Sequence, residues 1–297
     1  GLCTNVSVAG TTYSVTSLTA GNTYYYRVRA SNSGGTSTSS NTITVLLLPP
    51  AVTANAATNV TTTSFSANWS SATSATNYKL SVSTVATCDS AYVTACGGAS
   101  CNLIATGNVT TYAVTPLSAN TTYYYCLKAT NGTGDSATLS NIVSQLTAPA
   151  APVASAATSV AATSFSANWS ASTGASNYKL SVSTVATCDG SYVTACGGAS
   201  CNLIATGNVT TYAVTPLSAG TTYYYCLKAT NSGGDSALSN VITQLTIPPA
   251  PVATAATSIT TTTFSANWNA STGATGYYLD VSALSNFSTF LATSCAG

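Results

Sequence analysis

The chain has no His, no Met and, because all five of its acidic residues are Asp, no Glu; only 4% of its 297 residues are charged. Each absence removes a class of function. General acid/base chemistry at neutral pH relies on His, Glu, Asp or Lys gathered in a pocket, and here such residues are few and scattered. The expectation is therefore no enzyme, no catalytic or metal-ligating residues and no cofactor. Six Lys/Arg residues and a net charge of +1 leave no basic footprint for nucleic acid and no polybasic patch for anionic lipid. The longest strongly apolar stretch, Val45 to Leu48, ends at Pro49 and Pro50. A helix that spans a bilayer needs roughly 20 residues, so membrane insertion is not expected. The sequence begins at Gly1 without an initiator Met or a charged-then-apolar leader, which reads as a mature exported protein, extracellular or at the cell surface.

What is present is hydrophobic content, 45%, enough to build cores, and internal repetition with a period of about 100 residues. Thr63-Ser-Phe-Ser-Ala-Asn-Trp69 recurs as Thr163-Ser-Phe-Ser-Ala-Asn-Trp169 and as Thr262-Thr-Phe-Ser-Ala-Asn-Trp268. Residues Tyr92 to Ala119 and Tyr192 to Ala219 are identical. A second landmark, Thr-Tyr-x-Val-Thr-x-Leu-x-Ala followed by Thr-x-Tyr-Tyr, starts at Thr12, Thr111 and Thr211. Phe65, Ala67 and Trp69 alternate with polar residues, as do Tyr78, Leu80 and Val82, the period of two of half-buried strands. Gly-Gly and Asn-Gly pairs punctuate the runs, and Pro49-Pro50, Pro149 to Pro152 and Pro248 to Pro251 mark the joints.

These residues resemble fibronectin type III domains, of the Ser/Thr-rich kind found in large secreted bacterial surface proteins. The Trp motif is similar to strand B, Asn77-Tyr-Lys-Leu-Ser-Val-Ser83 to strand C, Thr111-Tyr-Ala-Val to strand E, and Leu117 to Asn131 to the E–F corner and strand F. The resemblance implies an all-β fold: tandem immunoglobulin-like, seven-stranded, two-sheet sandwiches, with Trp69, Leu80, Leu117, Tyr123, Tyr125 and Leu127 in the core. It implies no particular activity, because function lives in sites rather than folds.

The repeat frame is out of phase with the sequence. Residues 48–147 and 148–246 each carry a whole unit, residues 1–47 carry only strands E, F and G, and residues 247–297 carry only A, B and C. The loop Cys96-Gly-Gly-Ala-Ser-Cys101 has six residues, and joining Cys295-Ala-Gly297 to Gly1-Leu-Cys3 restores six. The expectation is a domain split across the chain ends and completed head to tail by the next copy. A head-to-tail contact that does not close makes a filament. The competing reading is one stretch of a longer tandem array.

Four cysteines per unit suit either a structural zinc or two disulfides, and the paired short Cys-x-x-Cys spacings of zinc sites are missing. In the split unit Cys295 and Cys3 stand for Cys196 and Cys101, whereas Phe287 and Arg27 stand for Cys188 and Cys126. Cysteines are thus lost in pairs, which predicts Cys88–Cys126 and Cys96–Cys101, repeated as Cys188–Cys226 and Cys196–Cys201, with an intersubunit Cys295–Cys3 bond. Where the split unit lacks its second bridge it has Arg27, Arg29 and Asp280, and an ion pair across the seam is expected.

Weaker signals are local. Asp-Ser-Ala at Ser90, Ser136 and Ser236 resembles an O-glycosylation motif of secreted bacterial proteins, or is turn chemistry. Asn59, Asn108 and Asn208 head Asn-x-Ser/Thr sequons of a kind that chance produces in such a composition. Tyr25, Tyr124 and Tyr224 are expected to face outward, and Lys79, Lys128, Lys179 and Lys228 to be solvated. Two functions follow: a filament subunit whose partner is itself, or an adhesin or stalk segment whose partners are glycans or host surface proteins.

Overall fold

The computed structural model describes residues 6–86, 94–96, 99–100, 104–186, 194–196, 199–200 and 204–288. Chain contacts separate two compact units, residues 1–149 with 231–235, and residues 150–230 with 236–297. Among the described residues every regular element is a strand, and no helix is long and apolar enough to cross a membrane.

The first unit opens with a ladder of β1 (Thr23–Tyr26), β2 (Ser31–Asn32), β3 (Gly35–Thr36) and β4 (Ile43–Leu46). β1 pairs with β4 and β2 with β3, all antiparallel. A complete sandwich follows. It is built from β5 (Ala54–Thr58), β6 (Phe65–Trp69), β7 (Asn77–Ser83), β8 (Thr94–Cys96), β9 (Ala99–Ser100), β10 (Ile104–Ala105), β11 (Thr111–Val114), β12 (Thr122–Asn131), β13 (Gly134–Asp135) and β14 (Val143–Leu146). One sheet has the order β11-β6-β5; the other runs β10-β7-β12-β13, with β14 also on β12. β8 and β9 form a small hairpin of their own.

The period-two pattern dictates which face is apolar. In β6, Phe65, Ala67 and Trp69 are buried and the two residues between them are half-buried. Across the sandwich Tyr78, Leu80 and Val82 from β7 and Tyr123, Tyr125 and Leu127 from β12 meet them. The six expected core residues lie in this cluster. Phe65 stacks on Tyr125 at 5.8 Å and Trp69 tilts against Tyr78 at 5.7 Å. The Tyr125 hydroxyl donates to the Asn55 carbonyl, tying the sheets together, and burial pushes its phenol up from the usual value. In β5 the pairing slips between Asn55 and Thr58. Asn68 bridges that bulge, donating from Nδ2 to the Ala56 carbonyl at 2.9 Å and to Thr58 Oγ1 at 3.1 Å.

A second sandwich repeats this one, with strands Ala154–Thr158, Phe165–Trp169, Asn177–Ser183, Ile204–Ala205, Thr211–Val214, Thr222–Asn231, Gly234–Asp235 and Ile242–Leu245, all in the second unit except residues 231–235. Its core again centres on Phe165, Trp169, Tyr178, Leu180, Tyr223, Tyr225 and Leu227. Two further strands, Ala253–Thr257 and Ser265–Trp268, pair antiparallel after it.

Candidate functional site

The last segment of the second unit keeps part of the local structure of a complete sandwich without its cover: two strands pair, while residues 276–282, expected as a third, are not in a strand. Asn267 bridges the same bulge, donating to Ala255 O at 2.9 Å and Thr257 Oγ1 at 3.1 Å. Trp268 and Tyr277 lie 5.6 Å apart at 53°, against 5.7 Å and 58° for Trp69 and Tyr78. The Tyr277 hydroxyl accepts from Ser271 N at 2.7 Å, as that of Tyr178 does from Ser172 N. Yet Phe264, Trp268 and Leu279 are 53%, 38% and 45% exposed, where Phe65, Trp69 and Leu80 are 1%, 3% and 0%. The side chains are set in core geometry, and their apolar face is open.

The first segment of the first unit is the converse. Tyr24 forms the corner characteristic of such sandwiches, its hydroxyl accepting from Thr19 N at 2.8 Å, as Tyr123 does from Ser118 N. That backbone hydrogen bond holds the Tyr24 phenol below its usual value. Tyr26 and Val28 occupy the positions of Tyr125 and Leu127, both fully buried, but are 54% and 64% exposed. One open face thus carries the residue types of β5 to β7, and the other those of β12 and β14.

In the complete sandwich β12 and β7 pair so that Cys126 faces Ser81 and Leu127 faces Leu80. By the repeat, Arg27 takes the place of Cys126 and Asp280 that of Ser81. Arg29 takes the place of Lys128.

Cys126 and Cys226 are each disulfide-bonded. Both stand outside the core clusters, yet they are buried rather than solvent-facing. Cys88, Cys101, Cys188, Cys201, Cys3 and Cys295, and the side chains of Cys96 and Cys196, lie outside the described residues, as does Ser90.

One expectation is narrowed and another corrected. Ser136 and Ser236, read either as glycan acceptors or as turn residues, are only 1% and 4% exposed. Their hydroxyls donate to Thr138 O at 2.9 Å and Ala237 O at 2.7 Å, so they are turn residues closed inside the fold. Lys79, read as solvated, sits with Nζ 2.8 Å from both Asp135 oxygens. Tyr25 is exposed, while Tyr124 and Tyr224 are half-buried. Among the described residues no group of three or more His, Cys, Asp or Glu is placed to hold a metal.

The sequence pattern of the fibronectin type III domain matches residues 50–145 and 150–245. Among solved structures, the chain is similar to the FN1–FN3 domains of chicken CNTN1, at 16% identity over 77% of this chain and 79% of that one, with a TM-score of 0.40. It is also similar to a two-domain fibronectin type III segment of chicken tenascin, at 15% identity over 66% of this chain and 97% of that one, with a TM-score of 0.31. No curated protein matches it.

Proposed function

The chain belongs to the fibronectin type III family, and from that premise we propose that it is a non-enzymatic structural subunit of an extracellular bacterial filament, joined head to tail between copies. At the family level, tandem fibronectin type III domains fit a repeat segment of a cell-surface or adhesin-like protein. The finer reading rests on one observation: two open faces with complementary halves of the same core, each keeping part of the complete sandwich's local structure. Covering Phe264, Trp268, Tyr277 and Leu279 with Leu18, Tyr26 and Val28 removes large apolar surface from water, and each fully buried side chain contributes about 1.5–3 kcal/mol. The supply of half a sandwich by a neighbour extends the logic of strand donation in pili. A Cys295–Cys3 bond would lock the joint.

Non-reducing electrophoresis of material isolated from its source, alongside sedimentation of the purified chain, tests the reading. Head-to-tail subunits give a ladder that collapses on reduction to one species near 29.6 kDa. A very large species that survives reduction means one continuous chain whose further repeats cover the two faces, the stalk arrangement. Leu279→Asp, which places a charge at the centre of one open face, is expected to abolish sedimenting polymer while leaving the complete sandwiches folded.

A further inference from the structure

We propose that the hairpin Ser31–Thr36 of one copy clasps the Thr246 carbonyl of the copy it completes, with Asn32 as the donor; the inference rests on the head-to-tail reading above. The template lies inside the first unit. There Asn131, at the end of β12, donates from Nδ2 to the Leu47 carbonyl at 2.8 Å and to Ser74 Oγ at 3.1 Å. Its Oδ1 meanwhile closes its own hairpin, accepting from Thr133 N at 2.9 Å. Also within that unit, Asn231 donates to Thr147 O at 3.1 Å and accepts from Gly233 N at 2.7 Å. A Cβ on Gly233 would lie 2.2 Å from the Leu146 carbonyl oxygen, so only glycine allows the two backbones to approach there.

Leu47, Thr147 and Thr246 hold one place in the repeat. The N–H of each donates back to the turn before the Tyr-rich strand, at Asn22, Thr121 and Thr221 respectively. Two of the three carbonyls receive an Asn amide; among the described residues no donor reaches that of Thr246.

The missing donor is in the chain. Asn32-Ser33-Gly34-Gly35 repeats Asn231-Ser232-Gly233-Gly234 letter for letter. Asn32 Oδ1 accepts from Gly34 N at 2.8 Å, so the turn is already formed, and Asn32 is exposed. A Cβ on Gly34 would meet only Asn32 Oδ1, at 3.1 Å, and its φ is not in the left-handed region. Nothing around Gly34 requires glycine; a linker pressed against it, as Gly233 has, does.

The test uses the full chain and measures the concentration at which half of it pellets as polymer. Asn32→Asp keeps an acceptor for Gly34 N and replaces the donor by a charged oxygen that the Thr246 carbonyl repels, so it separates the clasp from the hairpin turn. We expect a rise of about threefold to tenfold for Asn32→Asp, the size of one net hydrogen bond, and at least as much for Gly34→Ala, with the melting of unassembled chain unchanged in both. Variants that pellet like the wild type overturn the clasp and leave head-to-tail assembly standing. A wild-type chain that never pellets overturns the assembly reading, and the clasp falls with it.

Discussion

Asn68, Asn168 and Asn267 do the same work three times, each filling the gap that a bulge opens in the neighbouring strand. Replacing Asn68 by Ala leaves the Ala56 carbonyl without its side-chain donor. The expected cost is about 1–2 kcal/mol, read as a lower midpoint in urea unfolding; an unchanged midpoint would mean that water replaces the amide fully. The core positions were legible in the sequence, because alternation along a strand states directly which side chains share a face. The role of Asn68 was not, because a polar residue between Ala67 and Trp69 looks like any outward strand residue until the register of β5 is known. Ser136 was left open between a glycan acceptor and a turn residue for a related reason: a three-residue motif carries no information on burial.

Asp135 makes a pH-dependent contribution whose sign is set by its partners. The hydrogen bond from Lys79, then that from Thr130, holds its carboxyl below the ordinary value. A carboxyl with a lower pKa folded than unfolded stabilises the fold fully above the unfolded value, near 3.9. That contribution is lost as pH falls through the folded value. Both side chains are about a third exposed, 33% and 31%, so the pair contributes only about 0–1 kcal/mol. Melting curves from neutral pH down to about pH 2 should show Asp135→Asn less stable than wild type at neutral pH, and the difference closing with acid. A constant offset would assign the effect to packing.

At the scale of elements, the pairing of the Tyr-rich strand with the one bearing Tyr78 fixes what can lie opposite what. Complete sandwiches put Cys126 beside Ser81; on the proposed head-to-tail reading the joint would put Arg27 beside Asp280, charges where the disulfide-bonded cysteine stands elsewhere. An exposed pair adds about 0–1 kcal/mol, while like charges directly opposite each other oppose pairing. Asp280→Arg is therefore expected to slow or weaken assembly, and Arg27→Asp added to it to restore most of the loss. Equal assembly by all three forms would mean a different register. The disulfide has a larger effect: Cys126→Ala in the first complete sandwich should cost about 2–5 kcal/mol, measured by denaturant unfolding. That some cysteines pair was legible from their loss in twos. That Cys126 is buried was not, since alternation tells only which sheet face a residue takes, not what covers that face.

For the whole molecule, the phase of the repeat against the sequence is the feature with most consequence. It was legible from the recurrence of the Trp motif at Trp69, Trp169 and Trp268 and of the Tyr-rich motif from Thr12, Thr111 and Thr211. What the sequence could not say is whether half-sandwiches hold their shape uncovered. Part of it holds: the Trp268–Tyr277 contact, the Asn267 bridge and the Tyr24 corner are formed with their faces open, while residues 12–15 and 276–282 are not in strands. Such preorganisation lowers the ordering cost of association, and it makes one residue a natural reporter. Of the three Trp, Trp69 and Trp169 are buried at 3% and 4% exposure in their own sandwiches, while Trp268 is at 38%. On head-to-tail completion only the environment of Trp268 changes, from partly aqueous to apolar. Intrinsic emission should shift to shorter wavelength as polymer forms, in step with light scattering, and Trp268→Phe should remove the shift without preventing assembly. Polymer that grows while Trp268 emission stays at its dispersed wavelength would place the contact on another surface.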